Sequence, residues 1–108
     1  MDADAAVPQG GSMSVYVVAD LNWTDPSARE EYGKLARTVL ARYGGRYVVA
    51  GGAPQTLEGE WQPSGVAVIE FPTREQAVRW YESEEYRPLK ALRLNGARTS
   101  AVLVEGVP

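Results

Sequence analysis

The sequence predicts an α+β domain of ferredoxin-like topology, with the element order β-α-β-β-α-β. Four short apolar runs alternate as strands do, and two longer stretches repeat apolar residues every three to four positions, as amphipathic helices do. Right-handed crossovers place both helices on one face of a four-stranded antiparallel sheet with strand order 4-1-3-2. The length of 108 residues suits one domain of this kind.

The first strand and the first helix carry clear local signals. The strand is predicted over VYVVADLN, residues 15–22, because its odd-numbered side chains are all apolar and share one face. Asp25 is placed to cap a helix that has Pro26 at its first position. Gly44 is placed to end this helix in the left-handed conformation. The apolar stripe of the helix consists of Tyr32, Leu35, Ala36, Val39, Leu40 and Tyr43.

The other elements follow in the second half of the chain. Three further strands are predicted over RYVVA (46–50), GVAVIEF (65–71) and RTSAVLVEGV (98–107). Thr73 and Gln76 form a capping box at the start of the second helix. The apolar side of that helix consists of Ala77, Val78, Trp80 and Tyr81. A short further helix is predicted over SEEYRPLKALR, residues 83–93, and Pro88 is expected to break it.

Two glycine pairs raise the question of a phosphate-binding loop. Such a loop leads from a strand into a helix, with the spacing G-x-x-x-x-G-K-[ST] or G-x-G-x-x-G. Gly44 and Gly45 lead from a helix into a strand, and Gly51 and Gly52 precede no convincing helix. The pairs are therefore interpreted as a helix cap and a turn.

Composition excludes several classes of function. The formal charge of −3 argues against a nucleic-acid partner, and the sequence has no apolar run long enough to cross a bilayer. We therefore expect a soluble, cytoplasmic protein. Cysteine and histidine are absent, which excludes Ser-His-Asp and Cys-His catalysis, the usual structural zinc sites and a histidine-ligated haem. Neither a metal site nor a cofactor is predicted.

The domain boundary is predicted near the N-terminus. Residues 1–13 are mostly Ala, Gly, Asp and Ser, a composition that cannot bury enough surface to offset the loss of chain entropy. We therefore expect a flexible tail over 1–13 and a folded domain over 14–108.

Six motifs in the same order resemble a known family. They are YGGRY (43–47), GG (51–52), LEGEW (57–61), VIEFPTREQA (68–77), WYESEEY (80–86) and VEG (104–106). The chain is similar over residues 14–107 to domain-of-unknown-function family 1330, of the dimeric α/β-barrel superfamily. The resemblance implies a homodimer whose two sheets pack face to face around a chamber that binds a small molecule. It does not imply one reaction, since distant superfamily members include cofactor-independent monooxygenases, isomerases, cyclases and haem enzymes.

The predicted sheet supports a dimer independently of the resemblance. Helices cover only one face, and the opposite face carries Tyr16, Val18, Val66 and Val68, with Val102 or Leu103. A face this apolar would be a large exposed patch on a monomer. Two-fold pairing with a second copy is the commonest way to cover it.

Two carboxylates on that uncovered face are candidates for general bases. Asp20, with Asn22, lies near the end of the first strand, and Glu70 lies on the antiparallel third strand. At about 3.4 Å per residue, Asp20 and Glu70 are expected to lie about 14 Å apart, too far for an acid/base pair. Either group alone is a base if burial raises its pKa, and the alternative is a solvated or arginine-paired carboxylate.

Arginines, aromatic residues and one glycine complete the candidate site. Where the resemblance leads us to expect an arginine, the chain has Arg46 and Arg93, and each either grips an anionic ligand or pairs with Glu58, Glu84 or Glu85. Tyr81 and Tyr86 are expected to wall the cavity mouth or to donate a hydrogen bond to a substrate oxygen, and the alternative for Tyr81 is packing in the core or interface. Trp23 and Trp61 are placed in loops, where they line a pocket or seal the dimer rim. Gly65 stands where the family commonly has an arginine, which enlarges the predicted space and puts an inherited anion-binding role in doubt.

Two classes of function follow from this reading. The first is a cofactor-independent isomerase, cyclase, lyase or monooxygenase acting on a small aromatic or polyketide-like metabolite. The second is a non-catalytic ligand-binding or stress-associated dimer. The predicted catalytic residues are Asp20, Tyr86 and Arg93. The predicted substrate-binding residues are Tyr16, Asn22, Trp23, Arg46, Trp61, Gly65, Glu70 and Tyr81.

Overall fold

A computed structural model describes residues 13–108, so the predicted tail lies, apart from Met13, outside the described residues. The elements are β1 (Val15–Trp23), α1 (Pro26–Arg42), β2 (Arg46–Gly51), β3 (Val66–Phe71), α2 (Arg74–Tyr81), α3 (Arg87–Gly96) and β4 (Ala97–Glu105). The strands form one antiparallel sheet in the order β2-β3-β1-β4, which confirms the predicted ferredoxin-like topology. Within the described part of the chain, no helix has both the length and the apolarity that crossing a bilayer requires.

The local signals for the two predicted helices are confirmed. The Asp25 carboxylate accepts hydrogen bonds from the backbone N–H groups of Ser27 and Ala28, at 3.0 and 3.3 Å. The Thr73 hydroxyl accepts one from the backbone N–H of Gln76 at 3.1 Å. Gly44 has a φ of 84°, so the glycine pair after α1 is a helix cap, as predicted.

The helices cover one face of the sheet and enclose the core there. Odd-numbered residues of β1 and β3 face the helices, as the period of a strand dictates. The buried cluster consists of Val15, Tyr32, Ala36, Val39, Leu40, Ile69, Phe71, Ala77, Trp80, Tyr86 and Leu89.

Several details differ from the prediction. Pro88 does not break the third helix, because it lies in the first turn of α3, where a missing N–H costs no hydrogen bond. Trp23 is the last residue of β1 and not part of a loop. Leu35 is 52% exposed, although it belongs to the predicted apolar stripe of α1. The reason is that only part of this stripe packs against the sheet. For the same reason Val78 and Tyr81 are exposed on α2.

The face of the sheet opposite the helices, called here the open face, has an apolar centre. Register places Val18 of β1 beside Val68 of β3 and Val102 of β4. Val68 pairs in turn with Val49 of β2, after a bulge that follows Tyr47. One row of four valines therefore crosses all four strands, and Val102 rather than Leu103 belongs to this face.

The close approach of α3 to the start of α1 depends on Gly96. Its carbonyl accepts hydrogen bonds from the backbone N–H groups of Thr24 and Asp25, at 2.8 and 3.0 Å. A Cβ atom at position 96 would lie 2.6 Å from the Cβ of Ala28. We expect Gly96→Ala to lower the free energy of unfolding by about 1–3 kcal/mol through overpacking, measured by urea denaturation.

Gly33 offers the matched control for Gly96→Ala. It lies on α1, and no heavy atom other than those of its chain neighbours and of the helix backbone lies within 4 Å of the Cβ that alanine would add there. Because alanine favours a helix more than glycine does, Gly33→Ala is expected to raise the free energy of unfolding by up to about 1 kcal/mol. Equal stability of the wild type and Gly96→Ala would contradict the tight packing of α3 against α1.

Candidate functional site

A cleft opens between α1 and the helix-covered face of the sheet. Its volume is about 440 Å³, within the range of small-molecule pockets. The lining comes from one end of the sheet together with one face of α1. Its residues are Leu21, Asn22, Trp23, Arg29, Tyr32, Gly33, Tyr47, Ala50, Gly51, Gly52, Ser64, Gly65 and Ala67.

A chain of hydrogen bonds leads from the cleft into the interior. The hydroxyl of Tyr32, on the cleft wall, lies 2.7 Å from the hydroxyl of Tyr86. Tyr86 accepts a hydrogen bond from Nε of Arg93 at 3.4 Å. Arg93 Nη1 donates to the Thr99 hydroxyl of β4 at 2.9 Å. The chain therefore joins α1, α3 and β4 beneath the cleft.

Arg93 is a buried cation that has no carboxylate partner among residues 13–108. Only 6% of its surface is exposed, and both of its side-chain hydrogen bonds go to neutral hydroxyl groups. None of the ion pairs formed among residues 13–108 includes it. Burying a charge costs free energy that a neutral partner offsets poorly, so a buried guanidinium of this kind suits a negatively charged ligand group.

Two phenols that line the cleft, Tyr32 and Tyr47, stay protonated near neutral pH. Burial raises the pKa of Tyr32, and the neighbouring Tyr86 raises it further. Burial also raises the pKa of Tyr47. The charge of Arg93 opposes both rises, although it does not cancel either. Tyr32 and Tyr47 therefore present neutral hydroxyls that can donate hydrogen bonds.

Aromatic rings surround the same network. The rings of Trp23 and Tyr32 pack with their centroids 5.4 Å apart, and those of Trp80 and Tyr86 with theirs 4.3 Å apart. Burying one face of each ring fixes the position of its polar tip. The cleft thus combines flat apolar walls with a few placed donors, an arrangement typical of binding sites for aromatic molecules.

Five of the predicted site residues lie at this cleft or directly beneath it. Tyr86 and Arg93 form the buried network, and Asn22, Trp23 and Gly65 belong to the lining. Tyr86 is only 1% exposed, so it lies behind the wall and not at the mouth.

Asp20 is not brought together with Tyr86 and Arg93. It lies on the open face, because Asp20 pairs with Val66 in register and even-numbered residues of β1 point away from the helices. Asn22, near the end of the strand, borders both the cleft and a small polar pocket beside Asp20. The carboxylate of Asp20 accepts a hydrogen bond from the indole Nε1 of Trp61 at 2.9 Å. The sheet therefore separates Asp20 and Trp61 from the cleft.

Three more predicted residues form a cluster at the other end of the open face. The Tyr16 hydroxyl donates to Glu70 at 2.8 Å, and Nε of Arg46 donates to the same carboxylate at 2.8 Å. The hydrogen bond from Tyr16 lowers the pKa of Glu70, and Arg46 lowers it further. Arg46 therefore pairs with Glu70 and not with Glu58, Glu84 or Glu85. Glu70 lies opposite Tyr16 in register, and Tyr16 is four residues from Asp20 along β1. This spacing agrees with the separation expected between Asp20 and Glu70.

Tyr81 lies outside the cleft. It is 40% exposed on α2, and the ammonium of Lys90 sits 4.1 Å from the centre of its ring. It borders a shallow apolar groove between α2 and β4 that also includes Val17 and Leu103.

Sequence reasoning missed Tyr32, Tyr47 and Thr99 as members of the site. The sequence predicts Tyr32 in the apolar stripe of α1, and its ring does belong to the buried core. A buried tyrosine hydroxyl needs a hydrogen-bond partner, and that need was the available signal for a polar network beside the core. Over residues 13–108, no cluster of three or more acidic, histidine or cysteine side chains is arranged to hold a metal ion.

Comparison with known families now identifies the chain. Residues 14–107 match the model of a family described as a domain of unknown function, DUF1330. The chain belongs to the DUF1330 family. The resemblance drawn from the six sequence motifs is thereby confirmed.

Solved structures share the fold of this DUF1330 protein. A protein of unknown function from Rhodopseudomonas palustris superposes with a TM-score of 0.74 at 17% identity, over 90% of this chain and 85% of that one. SnoaB, a cofactor-independent oxygenase from Streptomyces nogalater, gives a TM-score of 0.58 at 14% identity, over 90% and 95%. A proposed antibiotic biosynthesis monooxygenase from Nitrosomonas europaea gives 0.57 at 16% identity, over 89% and 91%. No curated protein matches the sequence.

Proposed function

We propose that this DUF1330 protein binds a small aromatic or polyketide-like metabolite in the cleft and transforms it without a cofactor. The observation that carries the proposal is the buried network of Arg93, Tyr86 and Tyr32 against the aromatic wall of the cleft. Its fold similarity to a cofactor-independent oxygenase supports the same class of chemistry.

The chemistry that suits this network is stabilisation of negative charge on a substrate oxygen. Isomerisation, cyclisation, elimination and oxygenation of such metabolites can all pass through an enolate or phenolate. A cation and hydroxyl donors fixed in a site of low dielectric stabilise that charge without reorganising. Arg93 supplies the cation and Tyr32 supplies a donor on the cleft wall.

The proposal includes a homodimer formed through the open face. The row of valines across the four strands gives that face an apolar centre, with polar clusters at both ends of the strands. An apolar centre with a polar rim is the usual anatomy of a protein interface. The chamber between two sheets, the cytoplasmic location and the lack of a nucleic-acid partner remain predictions.

A binding and turnover experiment tests the proposal. The probe is 1,8-dihydroxy-9-anthrone, a polyketide-like aromatic molecule, in buffer treated with a chelator and free of flavin. Binding is followed by quenching of tryptophan fluorescence, and turnover by oxygen uptake and by the probe's absorption spectrum. We expect saturable binding, and conversion faster than the spontaneous reaction.

Two variants locate the event in the cleft. Ala50→Trp places a large side chain on the cleft wall, and Ala41→Trp places one on the exposed surface of α1 outside the lining. Ala50→Trp is expected to weaken binding at least tenfold, while Ala41→Trp retains wild-type binding. No binding by the wild type, or equal binding by both variants, would refute the proposed site.

A non-catalytic ligand-binding or stress-associated dimer is the second candidate. The lining of the cleft includes no Asp or Glu in the described chain, and Asp20 lies on the opposite side of the sheet. Because no carboxylate base lines the cleft, the substrate must be acidic enough to lose its proton without one. Saturable binding of the anthrone with no acceleration of its conversion favours this candidate and overturns the catalytic part of the proposal.

A further inference from the structure

The hydrogen bonds around Arg93 have a defined direction. A guanidinium carries N–H donors and no acceptor, so the Tyr86 and Thr99 hydroxyls must both accept from it. The proton of Tyr86 is then free to be donated elsewhere. The Tyr32 hydroxyl, 2.7 Å away, is the acceptor within reach.

The direction of the next hydrogen bond, at the Tyr32 hydroxyl, follows from the same reasoning. If Tyr32 accepts the proton of Tyr86, its own O–H points away from Tyr86. Tyr32 belongs to the lining of the cleft, and the hydroxyl of Tyr47, which also lines the cleft, lies beside it, so the chain of donors reaches the cleft at these two phenols. A buried cation at the inner end polarises each hydroxyl in the same sense, which strengthens the last donor.

We infer that Tyr32 donates this last hydrogen bond to an ionised oxygen of the ligand, so that the cleft takes phenols and enols as their oxyanions. The inference rests on the proposed function and names the substrate class of that site. Tyr32 is the residue that touches the ligand, while Tyr86 and Arg93 act through it.

Charge along the cleft agrees with an anionic ligand. Arg29 lines the same cleft from α1 and forms no ion pair within the described range of 13–108. In the part of the chain that the structure describes, no Asp or Glu lines the cleft, so a bound oxyanion has no carboxylate in the wall around it. The ring of Trp23 packs against Tyr32 and places a flat surface beside the donor. The cleft therefore accommodates both the ring and the negative charge of an aromatic oxyanion.

The experiment measures the ionisation of a bound chromophore. 2-Hydroxyanthraquinone, whose hydroxyl has no neighbouring carbonyl to bond to, absorbs at different wavelengths as a phenol and as a phenolate, so a pH titration of the bound probe reports its pKa directly. We expect the wild type to lower that pKa by at least about one unit, which is a tenfold preference for the phenolate.

Three comparisons isolate the role of Tyr32. Tyr32→Phe keeps the ring and is expected to abolish the lowered probe pKa. Tyr43→Phe removes a phenol that bonds to Glu85 outside the cleft, and is expected to leave the lowered probe pKa unchanged. 2-Methoxyanthraquinone cannot ionise, so the wild type is expected to bind it at least tenfold more weakly at a pH where the hydroxy probe is ionised. This last comparison needs no variant to fold.

The outcomes separate this inference from the proposed function. If the probe binds in the cleft with an unchanged or raised pKa, or if Tyr32→Phe keeps the lowered value, the inference is wrong and the cleft remains a binding site. Equal binding of the hydroxy and methoxy probes also overturns it. If neither probe binds at all, the proposed function fails and the inference fails with it.

Discussion

Replacing Arg93 by Met is expected to weaken binding of the ionised anthraquinone probe about tenfold while leaving the fold intact. Arg93 acts on the probe through Tyr86 and Tyr32, so its loss is expected to remove the tenfold preference for the phenolate, which corresponds to about 1.4 kcal/mol of binding free energy. Arg93 is the cation behind Tyr32 and Tyr86, and its charge has no carboxylate to neutralise it among the described residues.

The stability of Arg93→Met distinguishes a functional arginine from a structural one. A guanidinium buried among neutral hydroxyls carries a desolvation cost, and an apolar side chain of similar length removes that cost. Tyr86 and Thr99 keep hydroxyls that can act as donors or acceptors. We therefore expect a melting temperature within a few degrees of the wild type. A structural arginine would give the opposite result, with lost stability and unchanged binding.

Two further variants act as controls for Arg93→Met. Arg93→Lys keeps the charge but cannot reach Tyr86 and Thr99 together with a planar fork, so its binding is expected to be intermediate. Arg79→Met removes an exposed arginine from α2 and is expected to change neither binding nor stability. Binding is measured by absorption titration, and stability by thermal denaturation. Wild-type affinity in Arg93→Met would exclude Arg93 from the site.

The fold was predictable because several local signals agree with one another. Asp25 with Pro26 sets the start of α1, Thr73 with Gln76 sets the start of α2, and Gly44 ends α1. The error at Pro88 has a physical cause. A proline interrupts a helix interior but fits its first turn, and the sequence pattern alone did not decide where α3 begins.

The candidate site was predictable only in part. The structure brings Tyr86 and Arg93 into contact, whereas Asp20, which is predicted together with them, lies on the open face, as strand alternation dictates. Residues on α3 and on that face cannot meet, because the sheet lies between them. The contact of Asp20 with Trp61 joins residues 41 positions apart and depends on the path of a long loop, which no local pattern specifies.

A charge at the centre of the open face is expected to dissociate the proposed homodimer. Val102 of β4 lies in the valine row beside Val18 and is 57% exposed in the single chain. Val102→Lys therefore places an ammonium on a surface without burying it in the monomer. In the dimer the same ammonium is buried twice, once for each copy, by two-fold symmetry. Burial costs several kcal/mol per ion, so the dissociation constant is expected to rise at least about 1,000-fold.

Sedimentation velocity over a range of concentrations measures that change. Val78→Lys is the matched control, since Val78 is 41% exposed on α2 and lies on the helix side of the sheet. It is expected to leave the dimer intact, and both variants are expected to melt close to the wild type because neither side chain belongs to the buried core.

The cleft lies within one chain, so a monomeric Val102→Lys that still binds the probe would locate the ligand beneath α1. Loss of binding together with the dimer would instead place the ligand between the two sheets. A wild type that is monomeric at micromolar concentration would contradict the homodimer itself. In that case the row of valines across the four strands would be an apolar patch in contact with water.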